Sequence, residues 1–227
     1  MIPKIAWIHW ANPPMPWLRR KSVETFRKHH PDWQVWQIGT AWDIREKGLS
    51  YAHEADWTWW RVLLEHGGFL VASDVISLGR IPDEWHDADI CAQTTGRGDV
   101  YQFAALGCAP GNGLVEDANA LCERDWGKVK DSGGDTYQAF GVDLLRRVTQ
   151  GDIYRFGKVY EMPRDAYCFY DWDQDPYWLW TKEGPSKPLP PHALGVHWYG
   201  GHEKSKEMEP TASPGGPSWL ERIAHDS

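Results

Sequence analysis

The chain is 227 residues long, carries 16 tryptophans and sets 24 basic against 32 acidic side chains, for a net charge of −8. A net negative chain with no basic block lacks the electrostatic footprint that grips a phosphate backbone, so nucleic acid is not an expected partner. No apolar run reaches the roughly 18 residues of a membrane span, because Arg61, Glu65 and His66 interrupt the longest candidate. The length fits one large domain or one domain with an appended segment. Met1-Ile2-Pro3-Lys4 is not a charged leader followed by an apolar stretch, and Cys91, Cys108, Cys122 and Cys168 form no C-x-x-C pair. Both points suggest a cytoplasmic protein with reduced thiols rather than a zinc knuckle. The tryptophans need their own account, since a buried indole N–H requires a partner.

Lys4 to Trp10 is apolar on both alternating faces and reads as a strand buried on both sides. Asn12-Pro13-Pro14 ends it, and Trp17 to His30 follows as an amphipathic helix stopped by Pro31. A second strand at Trp33 to Ile38 completes a strand–helix–strand unit, which implies a parallel pair with a right-handed connection. Asp56 to His66 has Trp57, Trp60, Leu63 and Leu64 at helical spacing, and Gly67-Gly68 supplies a left-handed stop. Phe69 to Ser73 is a third strand with Asp74 at its end, and open α/β sheets bind ligands beyond the carboxyl ends of their strands. Val100 to Cys108 reads as a further strand, Leu114 to Asp125 and Tyr137 to Thr149 as helices. The domain is expected over residues 1–203, with 204–227 as a polar, partly irregular tail that recovers order at Trp219 to Ile223.

Ile2-Pro3-Lys4-Ile5, Trp10, Pro31-Asp32, Asp56 and the run Glu65-His66-Gly67-Gly68-Phe69-Leu70-Val71-Ala72-Ser73-Asp74-Val75 together resemble the DXD-type sugar transferases of glycosyltransferase family 32. The catalytic domain of the large clostridial glucosylating toxins is a more distant relative. The resemblance covers about the first third of the chain and returns at Val196-His197-Trp198-Tyr199-Gly200-Gly201-His202, which is similar to the family's closing His-x-Trp-x-Gly-Ser-Trp segment. It implies a single α/β domain of the GT-A type, Rossmann-like and mostly parallel, with helices on both faces. It also implies a nucleoside diphosphate sugar donor, Mn²⁺ or Mg²⁺, and transfer with retention to a hydroxyl of a glycan, protein or small molecule. A hard cation neutralises the charge that develops on a departing diphosphate.

By that resemblance Asp74 matches the second aspartate of the DXD motif, while Ala72 stands where the first would be. Asp74 with His197 is therefore the expected metal pair, and Asp74 with Asp56 the expected catalytic pair. Asp56 matches the aspartate used on donor-sugar hydroxyls, and Trp59 stands where the family has an arginine. Ile8, His9, Trp10, Ser73 and Gln102 complete the expected donor contacts, with Trp10 against the base. The closing segment departs from the family at Gly201 and His202. Each residue also has a plainer reading: Asp74 as a turn cap, Asp56 as an N-terminal helix aspartate favoured by the macrodipole, His197 and Trp10 as core. A three-histidine zinc site from His192, His197 and His202 is a further alternative.

Asp171-x-Asp173-x-Asp175 begins like a calcium loop, but Pro176 and Lys182 replace the required glycine and glutamate. The aromatic and acidic stretch around it offers an acceptor surface instead, with Trp172, Asp173 and Trp198 as its chosen members. The rival readings are a catalytically degenerate GT-A module that binds a glycan or a protein, and a sugar-nucleotide hydrolase on the same scaffold.

Overall fold

The apolar run near the amino terminus forms β1 (Ile5–His9), whose Ala6 and Ile8 are completely buried. A computed structural model describes residues 1–93, 105–132, 137–163, 165–167 and 175–227. These fold into two compact units built from interleaved stretches of chain. Unit 1 comprises Met1–Ala11, Gln34–Val71 and Pro82–Pro163; unit 2 comprises Asn12–Trp33, Ala72–Ile81 and Arg164–Ser227.

Unit 1 holds a six-stranded sheet. Its β1 pairs in parallel with β2 (Gln34–Ile38), register Ala6 to Val35, and with β3 (Gly68–Val71). The order continues through β6 (Ala105–Cys108) and β5 (Ile90–Gln93), both antiparallel joints, and ends on β7 (Val159–Met162), parallel to β5. The sheet is mostly parallel, and β1, flanked on both sides, is buried as its apolar run required. The edge strand β2 instead exposes Gln34, Trp36 and Gln37.

The helices of unit 1 are set by caps the periodicity does not show. Expected from Asp56, α3 runs Tyr51–His66, because the Ser50 hydroxyl accepts from the His53 amide and starts the helix earlier. Asp56 therefore lies inside the helix, and the macrodipole reading no longer applies to it. Gly67, at φ +65°, ends the helix and donates to the Leu63 carbonyl. Asn112 caps α4 (Gly113–Asp131), which outruns the expected 114–125. Shorter than expected is α5 (Val142–Thr149), since residues 137–140 form a turn. The short α2 (Trp42–Arg45) precedes α3.

Unit 2 is organised around a two-stranded antiparallel ribbon, β4 (Val75–Ser77) with β8 (Gly195–His197), registered Val75 to His197 and Ser77 to Gly195. Against it lies α1 (Trp17–His29). The Ser22 hydroxyl is 2.8 and 2.6 Å from the Ser73 and Val75 carbonyl oxygens, and the Thr25 hydroxyl accepts from the Ser77 amide. Leu18, Ile76, Val196 and Trp198 form its core with Leu220 and Ala224. The last two come from α8 (Trp219–Asp226), started by a Ser218–Glu221 capping box. Two further short helices, α6 (Asp175–Leu179) and α7 (Glu203–Met208), complete the unit. No helix among the described residues is long and apolar enough to cross a membrane.

Candidate functional site

The β4–β8 register draws Asp74 and His197 together across the length of the chain. Asp74 sits in the turn ahead of β4, and its carbonyl accepts from the Trp198 amide at 3.0 Å. Tyr199 follows at φ +52°, a left-handed conformation rarely held by a side-chain-bearing residue. That turn points the Gly200 amide at Asp74 Oδ2, 2.7 Å away, while His197 Nε2 stands 3.2 Å from the same oxygen. The Tyr199 ring packs 4.2 Å from the His197 ring.

Behind this pair lies a guanidinium. Arg19 donates through Nε and Nη2 to the two oxygens of Glu209, at 2.7 and 2.8 Å, and through Nη1 to the Ser73 hydroxyl at 2.9 Å. Its Nη1 is 4.0 Å from Asp74 Oδ1, a Coulombic contact rather than a hydrogen bond. Gly200 is needed here, because a Cβ on it would fall 1.9 Å from Arg19 Nη2. Burial alone would raise the Asp74 pKa, but the charge and hydrogen bond of His197, then Arg19 and the Gly200 amide, outweigh it and hold the carboxyl far below the usual range.

Arg19 and Glu209 were not among the sequence-derived candidates. One signal was present: Arg19 shares the stripe of Ser22, Val23 and Phe26 on α1, a charge on a face that is otherwise buried. Glu209 lies in the stretch taken for tail, and nothing local marks it.

In unit 1, His9 closes β1 at the carboxyl edge of the sheet. Its Nε2 is 3.0 Å from the Thr40 hydroxyl, which donates its own proton to Glu54 at 3.1 Å. Thr40 can then only accept, so Nε2 carries the imidazole proton and Nδ1 is left as a bare acceptor. That buried Nδ1 has no hydrogen-bond partner among the described residues. Burial, aided by the Arg45 charge, lowers the His9 pKa to about 4, so the ring is neutral at pH 7. Tyr51 packs on it at 5.3 Å, and Trp10 meets Tyr51 edge-on at 5.9 Å. Trp59, in the place of the family's arginine, is buried with its ring 6.4 Å from His9. Asp56 keeps part of its surface accessible, yet burial pushes its pKa up to about 8.

Other expected members are placed differently. Trp198 is fully buried in the core of unit 2, under the Arg19 guanidinium at 5.4 Å, and so has no face for an acceptor sugar. Ile8 likewise buries its side chain in the sheet. The three histidines of the zinc alternative do not converge: His192 pairs with Asp165, and His202 caps α7 by accepting from the Lys204 amide. Gln102, Trp172 and Asp173 lie outside the described residues.

Among the described residues, the donor set around Asp74 does not fit a hard divalent cation. Mn²⁺ or Mg²⁺ takes about six oxygen-rich ligands, whereas Ala72 contributes none and Asp74 Oδ2 is already held by Gly200 and His197. A cation at Oδ1 would also face Arg19 Nη1 4.0 Å from that oxygen. Among the described residues no group of three histidine, cysteine or carboxylate side chains converges as metal ligands.

No family model matches the sequence, and no curated protein matches it. Solved structures do. The chain is similar to the PaToxG glycosyltransferase at 12% identity, over 68% of this chain and 69% of that one, with a TM-score of 0.53. It is similar to the galactosyltransferase LgtC, solved with donor and acceptor sugar analogs, at 11% identity over 98% and 94%, TM-score 0.52. The apo form of the glycosyltransferase GlyE of Streptococcus pneumoniae TIGR4 matches all of this chain at 10% identity and TM-score 0.51, and the chain spans 60% of GlyE. These likenesses do not single out glycosyltransferase family 32. At such identities they carry the fold alone, and that fold is the GT-A type of the glycosyltransferases.

Proposed function

We propose that the protein is a glycosyltransferase that moves a hexose from a nucleoside diphosphate sugar to a hydroxyl of a glycan, protein or small molecule, with retention at the anomeric carbon. The observation that carries this reading is the meeting of Asp74, His197 and the Gly200 amide at the turn ahead of β4, in a chain of GT-A fold. In unit 2 His197, held by Asp74, is the group that would meet a diphosphate. In unit 1 the bare Nδ1 of His9 suits a base N–H, and Trp10 and Tyr51 offer rings for stacking. Asp56, protonated at neutral pH, donates a hydrogen bond to a sugar hydroxyl. Acceptor contact falls to Tyr177 and Trp178, exposed on α6, together with Trp172 and Asp173.

Among the described residues no side chain stands out as an enzyme nucleophile, and the reading adopted is attack on the face the leaving group departs from. The anomeric C–O bond to the diphosphate breaks, the acceptor oxygen bonds to the same carbon, and its proton passes to the leaving phosphate. Because the donor set around Asp74 does not fit Mn²⁺ or Mg²⁺, the cation implied by the family resemblance enters no step here. Among the described residues Cys91, Cys108 and Cys122 are buried free thiols, which supports a reducing, cytoplasmic setting.

Nucleotide release from a panel of UDP- and GDP-sugars tests the reading. Turnover with one donor is expected, falling about a hundredfold or more in Asp74→Asn, as for loss of the carboxylate that positions the charge-stabilising His197. Undiminished turnover in that variant would sink the role of Asp74. The degenerate-module reading is favoured by Ala72 and by the buried Trp59. It predicts binding of a nucleotide sugar or glycan with no nucleotide released.

A further inference from the structure

In unit 1, α4 and α5 gather more positive than negative charge around one buried carboxylate. We propose that Arg124, Lys128 and Arg147 form a site for a phosphate group carried by a soluble small molecule, with Asp125 as the anchor that holds the three cations together. This goes beyond the transferase reading and does not depend on it.

Asp125 is the hub. Its side chain keeps 7% of its surface open, whereas those of Arg124, Lys128 and Arg147 keep 63%, 83% and 43%. Arg124 donates through Nε and Nη2 to the two Asp125 oxygens, at 2.9 and 2.8 Å. Arg147 reaches across from α5 and donates through Nη2 to Asp125 Oδ2. Lys128, one turn further along α4, stands 3.6 Å from Oδ1, a Coulombic contact rather than a hydrogen bond. The Arg124 hydrogen bond, then that of Arg147, outweighs burial and holds the Asp125 carboxyl far below the usual range, so the anchor stays ionised.

One carboxylate against three cations leaves a local charge of +2, in a chain whose net charge is −8. The neighbouring acids are engaged elsewhere, Glu123 with Arg61 and Asp143 with Arg146. Among the described residues no carboxylate but Asp125 lies within ion-pair distance of the three cations. Donors remain open as well: Arg124 Nη1, Arg147 Nε and Nη1, and Lys128 Nζ make no hydrogen bond among the described residues. Guanidinium edges take phosphate oxygens in pairs, and an ammonium adds a point charge. A phosphate monoester carries about −1.5 to −2 at pH 7, which matches the surplus. A membrane is matched less well, since two net charges raise affinity for an anionic surface only about thirtyfold, short of stable anchoring.

Titration calorimetry of the whole chain with inorganic phosphate and with phenyl phosphate, at fixed ionic strength, tests the site. Saturable binding of both is expected. The paired variant Arg124→Gln with Lys128→Gln leaves the Arg147–Asp125 ion pair in place, removes the surplus charge and should weaken both ligands about tenfold or more. Lys128→Gln alone changes a side chain that is 83% exposed and should weaken them about threefold. Absence of saturable binding, or affinity undiminished in the paired variant shown folded by circular dichroism, overturns the proposal; if that variant does not fold, Lys128→Gln decides by the same criterion. Sedimentation with vesicles of phosphatidylcholine and phosphatidic acid separates the two sources of phosphate. No pelleting beyond that with phosphatidylcholine alone is expected, and pelleting that Lys128→Gln reduces would overturn the soluble source.

Discussion

Asp56 and His9 shift stability with pH in opposite senses inside unit 1. Asp56 has a native pKa of about 8 against an ordinary 3.8, so between those values the native state binds the extra proton and stability falls as pH rises. His9, lowered from 6.5 to about 4, does the reverse: the unfolded chain takes the proton first, and stability is lost as pH falls through that window. Asp56→Asn should therefore be more stable than the unaltered chain at pH 9, with the gap closing toward pH 4. Urea midpoints at pH 5, 7 and 9 measure it, and an equal difference at all three pH values would refute the burial account. Asp74 follows neither pattern, because its depressed pKa keeps its contribution intact at every pH above the ordinary carboxylate range.

Among the elements, the pairing of β3 with β6 depends on one missing side chain. Phe69 lies opposite Gly107, and a Cβ there would fall 2.5 Å from the Phe69 ring. Gly107→Ala should cost about 1–3 kcal/mol by overpacking, and much less in a Phe69→Leu background. The coupling is read from a double-mutant cycle of urea midpoints; strict additivity would show that the ring and the glycine do not interact. Gly68 belongs to the same logic: at φ +103°, with the Ile5 carbonyl oxygen 2.6 Å from where a Cβ would stand, it admits no side chain. The Gly67-Gly68 stop was legible because it is local. The true start of α3 was not, because a single Ser50 hydroxyl outweighs a periodicity that becomes clear only from Asp56 onward.

For the molecule as a whole, the carboxyl-terminal stretch is structural in unit 2. Leu220 and Ala224 pack fully buried with Leu18, Ile76 and Trp198, and Glu209 clamps Arg19. Leu220→Ala should cost about 2–5 kcal/mol, the usual range for a buried leucine, read as a lower thermal midpoint; a change below about 0.5 kcal/mol, typical of surface sites, would return this segment to the status of a tail. The tryptophans divide along similar lines. Trp7 and Trp60 are buried with their N–H groups on the Gly67 and Phe140 carbonyls, while Trp36, Trp42 and Trp178 face solvent. By itself the sequence determined the net acidic charge, the first three strands and the parallel pairing of the first two, the glycine stop and the candidacy of Asp74 and His197. All of these are encoded within a few residues by side-chain period, turn chemistry or motif. Only the tertiary structure decided that Arg19 and Glu209 join them and that Trp198 is core. Those outcomes follow from the register of β4 on β8 and the seating of α1 and α8, long-range pairings that leave no local periodicity to read.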